Sequence, residues 1–272
     1  MTPVQVSARL APPAWSGVLG VDGKAIWVAG EEHCLLIAVD QGTQDVVHAL
    51  VVRSEDEASF EQIVRETVTV AAYPLKALVI DAAQPFVGGH LHYFARLPMQ
   101  LCRIHASRRL DWEVRRARRQ PDAPLRVELK TRLRGVLFAS DEALARARFA
   151  TLAADRDRYA GLGYKRVDPI RAVGRRLDHY LMHHRVAGLP ADSNITENVV
   201  KQLAKKLRLM EGFSSTTSAE RFTRLLVGCY RFKRFTSSCH SPHNGRAPLE
   251  LAGIDLGDLD WVRFHLDEQH ST

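Results

Sequence analysis

The sequence has no apolar run long enough to cross a membrane, and no apolar segment follows a basic one at its start. A membrane-spanning helix needs about 20 mostly apolar residues, and an export signal needs an apolar core behind a positively charged region. The sequence also has only four cysteines, widely spaced among 272 residues, so a disulfide framework is not expected. We therefore expect a cytoplasmic protein without membrane association.

Positive charge is scarce in the first third of the chain and abundant in the middle. Residues 1–102 hold six Lys and Arg against eleven Asp and Glu, a net charge of −5. Residues 103–185 hold 21 against ten, a net of +11, and residues 186–272 hold 11 against ten, a net of +1. A concentrated basic excess is typical of a surface that faces a polyanion such as nucleic acid. A solvated helical surface explains the same counts.

Apolar runs and turn signals predict an α/β fold. Three strands, a helix, a strand, a second helix and a fifth strand are predicted over 17–28, 34–40, 46–52, 57–72, 77–81, 88–96 and 99–105. The first strand is predicted as two short segments that flank a bend at Gly23 and Lys24. From about residue 106 to 186 the pattern is helical and rich in arginine. The order of strands and helices is one found in ribonuclease-H-like sheets.

Three acids lie where the ends of strands or helices would expose them. Asp22 ends the first strand, Asp81 ends the fourth, and Glu197 begins a helix capped from 192–194. Transfer at a phosphodiester needs an in-line nucleophile and a stabilised leaving oxygen, which two divalent ions about 4 Å apart can supply. Mg²⁺ prefers carboxylates, water and phosphate oxygens as ligands. Three converging acids would therefore form a cradle for two ions.

Each acid also has a purely structural explanation. Asp22 fits a turn, Asp81 fits a helix cap, and Glu197 fits a surface ion pair with Lys201. Asp40, at the end of the second strand, is interpreted as a turn residue. The residues alone leave these alternatives open.

A line of cations continues from Glu197 along the same predicted helix. Lys201, Lys205 and Arg208 follow it at four, eight and eleven positions, which places them on one stripe of the helix. We expect these cations to contact backbone phosphates of DNA.

Four segments, in this order and spacing, resemble bacterial DDE transposases of the Mutator-like kind. They are VLGVDGKAIWV with CLLIAVDQGTQDVV, ALVIDAAQPF with MQLCRIHASRRL, SNITENVVKQLAKKLRLMEGF, and NGRAPLELAGI. The resemblance extends from about Val18 to Ile254. It implies a ribonuclease-H-like mixed five-stranded sheet with flanking helices, interrupted by an all-helical insertion before the third acid.

The resemblance makes Asp22, Asp81 and Glu197 the catalytic acids and the ligands of two Mg²⁺ or Mn²⁺ ions. It implies metal-dependent cleavage of a DNA strand to leave a 3′-hydroxyl, which then attacks a target phosphodiester in strand transfer. Cys102 and His105 match the C-x-x-H signature that follows the second acid in this family.

The role of that signature stays open. Cys102 fits a buried thiol, because free cysteine is among the most buried residue types. His105 is followed by Arg108 and Arg109, and we expect these three side chains to contact DNA.

The resemblance divides the chain into a first core part (16–105), an Arg-rich helical insertion (106–190), a second core part (191–254) and a C-terminal tail (255–272). The expected partner is double-stranded DNA, at the element ends and at the target, bound by a homodimer or larger assembly near the nucleoid. Such transposases usually carry an N-terminal DNA-binding region, and only about fifteen residues precede the first strand here. We therefore expect a separate domain or protein to recognise the ends.

Two other functions stay open. One is a truncated or domesticated transposase remnant that binds DNA without catalysis. The other is a ribonuclease-H-like nuclease that cuts DNA but does not join it.

Overall fold

The computed structural model of the protein describes residues 6, 10, 13–114, 122–164, 167–238, 241–259, 262 and 264. Its strands form one mixed five-stranded sheet in the order β3-β2-β1-β4-β5. The strands are β1 (Val18–Val28), β2 (Glu31–Asp40), β3 (Val46–Val52), β4 (Ala77–Ile80) and β5 (Met99–Leu101). The predicted α/β fold with a mixed five-stranded sheet and flanking helices is confirmed.

Ten α-helices are found among the described residues outside the N-terminal segment 1–12. They are α1 (Glu57–Thr69), α2 (Gln84–Tyr93), α3 (Arg103–Val114), α4 (Ala123–Leu137), α5 (Glu142–Ala154), α6 (Pro169–Gly174), α7 (Leu177–Tyr180), α8 (Asn194–Leu207), α9 (Thr216–Phe232) and α10 (Pro248–Leu251). Between β5 and α8 the described residues contain helices and turns but no strand. None of the described helices is long and apolar enough to cross a membrane.

The chain divides into two compact units. The first unit comprises residues 1–78, 83–97 and 194–272, and the second comprises 79–82 and 98–193. Within the predicted helical insertion, residues 115–121 and 165–166 lie outside the described residues, as does most of the predicted tail from 260 onward.

The core of the first unit forms where α8 covers β1 and β2. Ile26, Leu35, Val200 and Leu203 belong to one buried apolar cluster. Along α8 the buried positions recur every three or four residues, which is the period of a helix with one apolar face. Each buried aliphatic side chain of this kind contributes about 1.5–3 kcal/mol, so this face fixes α8 against the sheet.

The second unit is built around two helices that contact each other, α4 and α5. Leu129, Leu133 and Leu137 of α4 are buried, as is Leu152 of α5. The start of α5 is fixed by Asp141, whose side chain accepts a hydrogen bond from the Leu144 backbone N–H at 2.8 Å.

Two element predictions were wrong in detail. The expected bend at Gly23 and Lys24 is absent, because β1 pairs with β2 without interruption from Leu19 opposite Asp40 to Val28 opposite Glu31. Asp22 therefore lies within a long strand and not at its end.

The segment 99–105 starts as a strand, as predicted, and β5 ends at Leu101. The Ala106 backbone N–H donates to the Cys102 carbonyl oxygen at 3.1 Å, which is the first bond of α3. His105 consequently lies in the first turn of a helix. Helix α2 begins at Gln84, four residues before the predicted start, with a proline in its first turn.

Candidate functional site

Helix α8 packs against β1 at a glycine. A Cβ atom at Gly20 would overlap the Thr196 hydroxyl of α8 and the Gln41 amide nitrogen. The same two side chains are hydrogen-bonded, since Gln41 Nε2 donates to Thr196 Oγ1 at 2.7 Å. The first turn of α8 is therefore held against β1 by a close contact that only glycine permits at position 20.

Asp22 points to the face of β1 that α8 covers. Side chains two residues apart on a strand share a face, so Asp22 shares its face with the even-numbered positions of β1. On that face, Gly20 lies against Thr196 of α8, and Ile26 and Val28 belong to the buried cluster that includes residues of α8. Asp22 is half-buried, and its Oδ1 accepts the Gly23 backbone N–H at 2.9 Å. Because Asp22 lies in the middle of a paired strand, the turn explanation for this acid is wrong.

Glu197 lies in the first turn of α8 and is only 6% exposed. An acid in this position is favoured by the helix dipole. Lys201 Nζ lies 3.4 Å from Glu197 Oε2, with the lysine side chain in solvent. The ion pair expected from the sequence is present, but the carboxylate is buried and does not lie on a solvated face. Glutamate is rarely so buried without a specific reason.

Asp81 follows β4 directly and belongs to the second unit. Its Oδ1 lies 3.9 Å from His105 Nδ1, and the same ring nitrogen lies 3.4 Å from the Ser193 hydroxyl. The N-cap of α2 is Ala83, so Asp81 does not cap that helix. The capping explanation for Asp81 is therefore wrong, and the acid faces an imidazole of its own unit.

Cys102 is a buried thiol, as the structural interpretation predicted. Burial raises the pKa of Cys102, but hydrogen bonds from His105 and Ser193 outweigh it and lower the pKa below its usual value. The Ser193 backbone N–H donates to Cys102 Sγ at 3.4 Å. Cys102 and His105 thus form one polar group with Ser193, which precedes α8.

Asp40, the acid at the end of β2, has a structural role. The carboxylate of Asp40 is fully buried and accepts hydrogen bonds from the turn that follows β2, through the Thr43 backbone N–H and hydroxyl at 2.9 Å each. It also accepts from Tyr73 and Ser16. The interpretation of Asp40 as a turn residue is confirmed.

The predicted DNA-contacting cations are exposed. Arg108 and Arg109 are exposed on α3, Lys201 and Lys205 lie on α8, and Arg208 directly follows α8. The last three of these cations, Lys201, Lys205 and Arg208, line an open groove of about 1060 Å³ in the first unit. Lys233 and Arg234, which follow α9, also line this groove. Sequence reasoning did not single out these two residues, because they lie outside every motif and follow Lys205 by 28 and 29 positions.

The chain matches no protein-family profile and no curated protein with which it was compared. The function must therefore be argued from the residues and their geometry.

Proposed function

We propose that this chain is the catalytic domain of a DDE transposase, a metal-dependent enzyme that cleaves and joins DNA strands. Asp22, Asp81 and Glu197 are its catalytic acids. The observation that carries the proposal is Glu197, a buried carboxylate in the first turn of α8, held against β1 on the face where Asp22 lies.

The failure of the simpler explanations supports the proposal. Asp22 is not in a turn, Asp81 caps no helix, and Glu197 is not on a solvated face. Asp40, by contrast, is an acid with an evident structural role, because the surrounding donors saturate its carboxylate.

The donor set fits hard divalent cations. Carboxylates are the side-chain ligands that Mg²⁺ and Mn²⁺ prefer, and the three acids would hold two such ions. When bound, the ions would stabilise the charge that develops on the attacking and leaving oxygens at the scissile phosphate.

The neighbouring residues have separate roles in this proposal. His105 is a positioning residue that holds Asp81, and Lys201 offsets the charge of Glu197. Lys205, Arg208, Arg108 and Arg109 contact backbone phosphates and fix the strand without reading its sequence. No nucleophilic Ser or Tyr is needed, because water and then the DNA 3′-hydroxyl supply the attacking oxygen.

The partners follow from the proposed reaction. The substrate is double-stranded DNA, at the element ends and at the target. Joining two ends calls for a homodimer or larger assembly, and a separate domain or protein recognises the end sequences. The protein acts in the cytoplasm, at the nucleoid.

A strand-transfer assay tests the proposal. Purified protein is mixed with a pre-nicked duplex that carries the terminal sequences of its element, with Mg²⁺ or Mn²⁺ present. Asp81→Asn is compared with wild type and with Asp157→Asn, which makes the same change at an exposed acid of the second unit. Joined product from wild type and from Asp157→Asn, but not from Asp81→Asn, is the expected result.

Two other results would overturn the proposal in different ways. Cleavage without joined product would identify a nuclease. Absence of any product, with equal DNA binding by wild type and Asp81→Asn, would identify a DNA-binding remnant. Calorimetric titration of Mn²⁺ gives a second readout, since Glu197→Gln is expected to weaken Mn²⁺ binding and Glu220→Gln, which makes the same change at a partly exposed acid of α9, is not.

A further inference from the structure

The open groove in the first unit is strongly basic. One wall is formed by α8, with Lys201 and Lys205, and by Arg208 directly after it. The other is the segment after α9, which carries Lys233. We propose that this groove binds the sugar–phosphate backbone of duplex DNA, with Lys205 and Arg208 on one wall and Lys233 on the other. This assignment rests on the proposed function, in which DNA is the substrate, and adds a second wall that no sequence motif marks.

The charge of the groove is only partly neutralised within the described residues of the first unit, because Lys201 pairs with Glu197 and Arg234 with Glu250. No aspartate or glutamate is among the described residues that line it. Lys205, Arg208 and Lys233 form no ion pair with any described residue. Arg234 also lines the groove but pairs with Glu250, whose pKa is lowered by that hydrogen bond. Unpaired cations that converge on a groove create a positive potential suited to a polyanion.

The spacing of the α8 cations fits a row of phosphates. A helix rises about 1.5 Å per residue, so Lys201 and Arg208 are separated by about 10 Å along the axis. One strand of duplex DNA advances about 3.4 Å per phosphate along its axis. If α8 runs parallel to the duplex axis, this wall covers the axial length of about three phosphates of one strand.

The second wall carries neutral hydrogen-bond donors in addition to Lys233. Thr236 and Ser237 line the groove beside Lys233 and are exposed. Hydroxyl groups donate hydrogen bonds to phosphate oxygens in the same way as lysine and arginine, and such contacts position DNA without reading its sequence. The composition of both walls thus favours the backbone over the bases.

The aromatic residues of the groove distinguish duplex from single-stranded DNA. Proteins that bind single strands stack bases on exposed aromatic rings. Here Tyr230 is buried, and its hydroxyl donates to the Gln44 carbonyl oxygen at 3.1 Å. Phe235 packs against the buried cluster and lies edge-to-face with Tyr230. Both rings are held within the fold, so neither of these two aromatic side chains offers a free face for base stacking, which favours a duplex.

The salt dependence of DNA binding tests this assignment. Fluorescence anisotropy with a mixed-sequence duplex, in EDTA so that no metal contributes, is measured from about 50 to 200 mM salt. Lys205→Gln and Lys233→Gln are compared with wild type and with Arg96→Gln, an exposed cation of the first unit outside the groove. Equal thermal melting of all four proteins verifies that the fold is unchanged.

Each groove variant is expected to reduce the slope of log affinity against log salt by about 1, on every duplex sequence alike. The advantage of wild type over each variant then falls about three- to fourfold across this salt range. Arg96→Gln is expected to keep the wild-type slope.

The contrary results separate this assignment from the proposed function. One contrary result is an unchanged salt slope for Lys233→Gln while the wild-type protein binds and joins DNA. It would show that the second wall does not contact DNA, and it would not contradict the transposase proposal. Tighter binding of single-stranded DNA or RNA that depends on Lys233 would overturn the duplex assignment. Loss of strand transfer is measured on the same preparations and bears on the proposed function alone.

Discussion

The basic residues of the second unit and those of the first-unit groove differ in what they face. In the second unit, aspartates and glutamates of the same unit form ion pairs with Arg126, Lys130, Arg132, Arg134, Arg146, Arg156, Arg158 and Arg185. In the groove, Lys205, Arg208 and Lys233 have no such partner among the described residues. The unit with the larger basic excess is thus the one whose described cations are more often paired.

This difference shows what a charge count leaves out. The net charge of +11 over residues 103–185 pointed to the helical insertion as the DNA-facing part, against +1 over 186–272. Potential at a surface depends on which charges lie close together and which are offset by neighbours. The groove lined by Lys205, Arg208 and Lys233 is formed mostly by the part of the chain that is nearly neutral in total.

The largest effect is expected for a third kind of cation, one that is fully buried. Arg231 and Asp45 form a bidentate ion pair of 2.7 and 2.8 Å, and both side chains are 0% exposed. Arg231→Gln leaves the Asp45 carboxylate buried without its charge partner, so the free energy of unfolding should fall by about 3–5 kcal/mol. Urea denaturation measures this change.

Arg224→Gln is the matched control on the same helix. Arg224 is exposed and lies 3.7 Å from Glu220, so its loss should cost about 1 kcal/mol or less. Equal losses for the two variants would show that burial does not decide the contribution of a cation in this unit.

The next prediction compares an exposed, paired cation of the second unit with an exposed, unpaired cation of the groove. Arg185 of the second unit pairs with Glu142 and Asp178. Arg185→Gln should lower the free energy of unfolding by about 1 kcal/mol or less and leave the salt slope of DNA binding unchanged. Lys233→Gln should leave the free energy of unfolding unchanged and reduce the salt slope of DNA binding. The free energy of unfolding and the salt slope are measured on both variants. A reduced salt slope for Arg185→Gln would contradict the expected difference between the paired cations of the second unit and the unpaired cations of the groove.

The smallest effect is a pH dependence within the second unit. Hydrogen bonds from Arg185 and Arg146 lower the pKa of Glu142 to about 2. Because the folded pKa lies below the unfolded value of about 4.3, the unfolded chain binds more protons between these pH values. The stability that Glu142 contributes is therefore present above about pH 4.3 and is lost as the pH falls towards 2.

The measurement compares unfolding of wild type and Glu142→Gln across this range. Their difference in unfolding free energy should be full at neutral pH and shrink below about pH 4.3. A difference that stays constant down to the acid limit would mean that the ion pairs of Glu142 do not stabilise the unit.

Much of the fold was predictable because the signals are local. The strand β3 has the predicted bounds, Val46–Val52, since an apolar run between turn signals leaves little choice. The helix that carries Glu197 was predicted from its apolar period and its capping residues. The errors fell where a local signal was weak, as at Gly23, whose backbone pairs regularly with Leu36 in the sheet.

The sequence by itself determined the element types, the α/β class and the identity of the candidate acids. Each of these depends on residue chemistry and on spacings within a few turns of chain. Only the tertiary structure decided which acids are structural, since Asp40 is distinguished by donors as distant as Tyr73. It also decided the burial of Glu197, the contact of Gln41 with Thr196 across 155 positions, and the second wall of the groove. These features depend on side chains far apart in sequence, which no local pattern brings together.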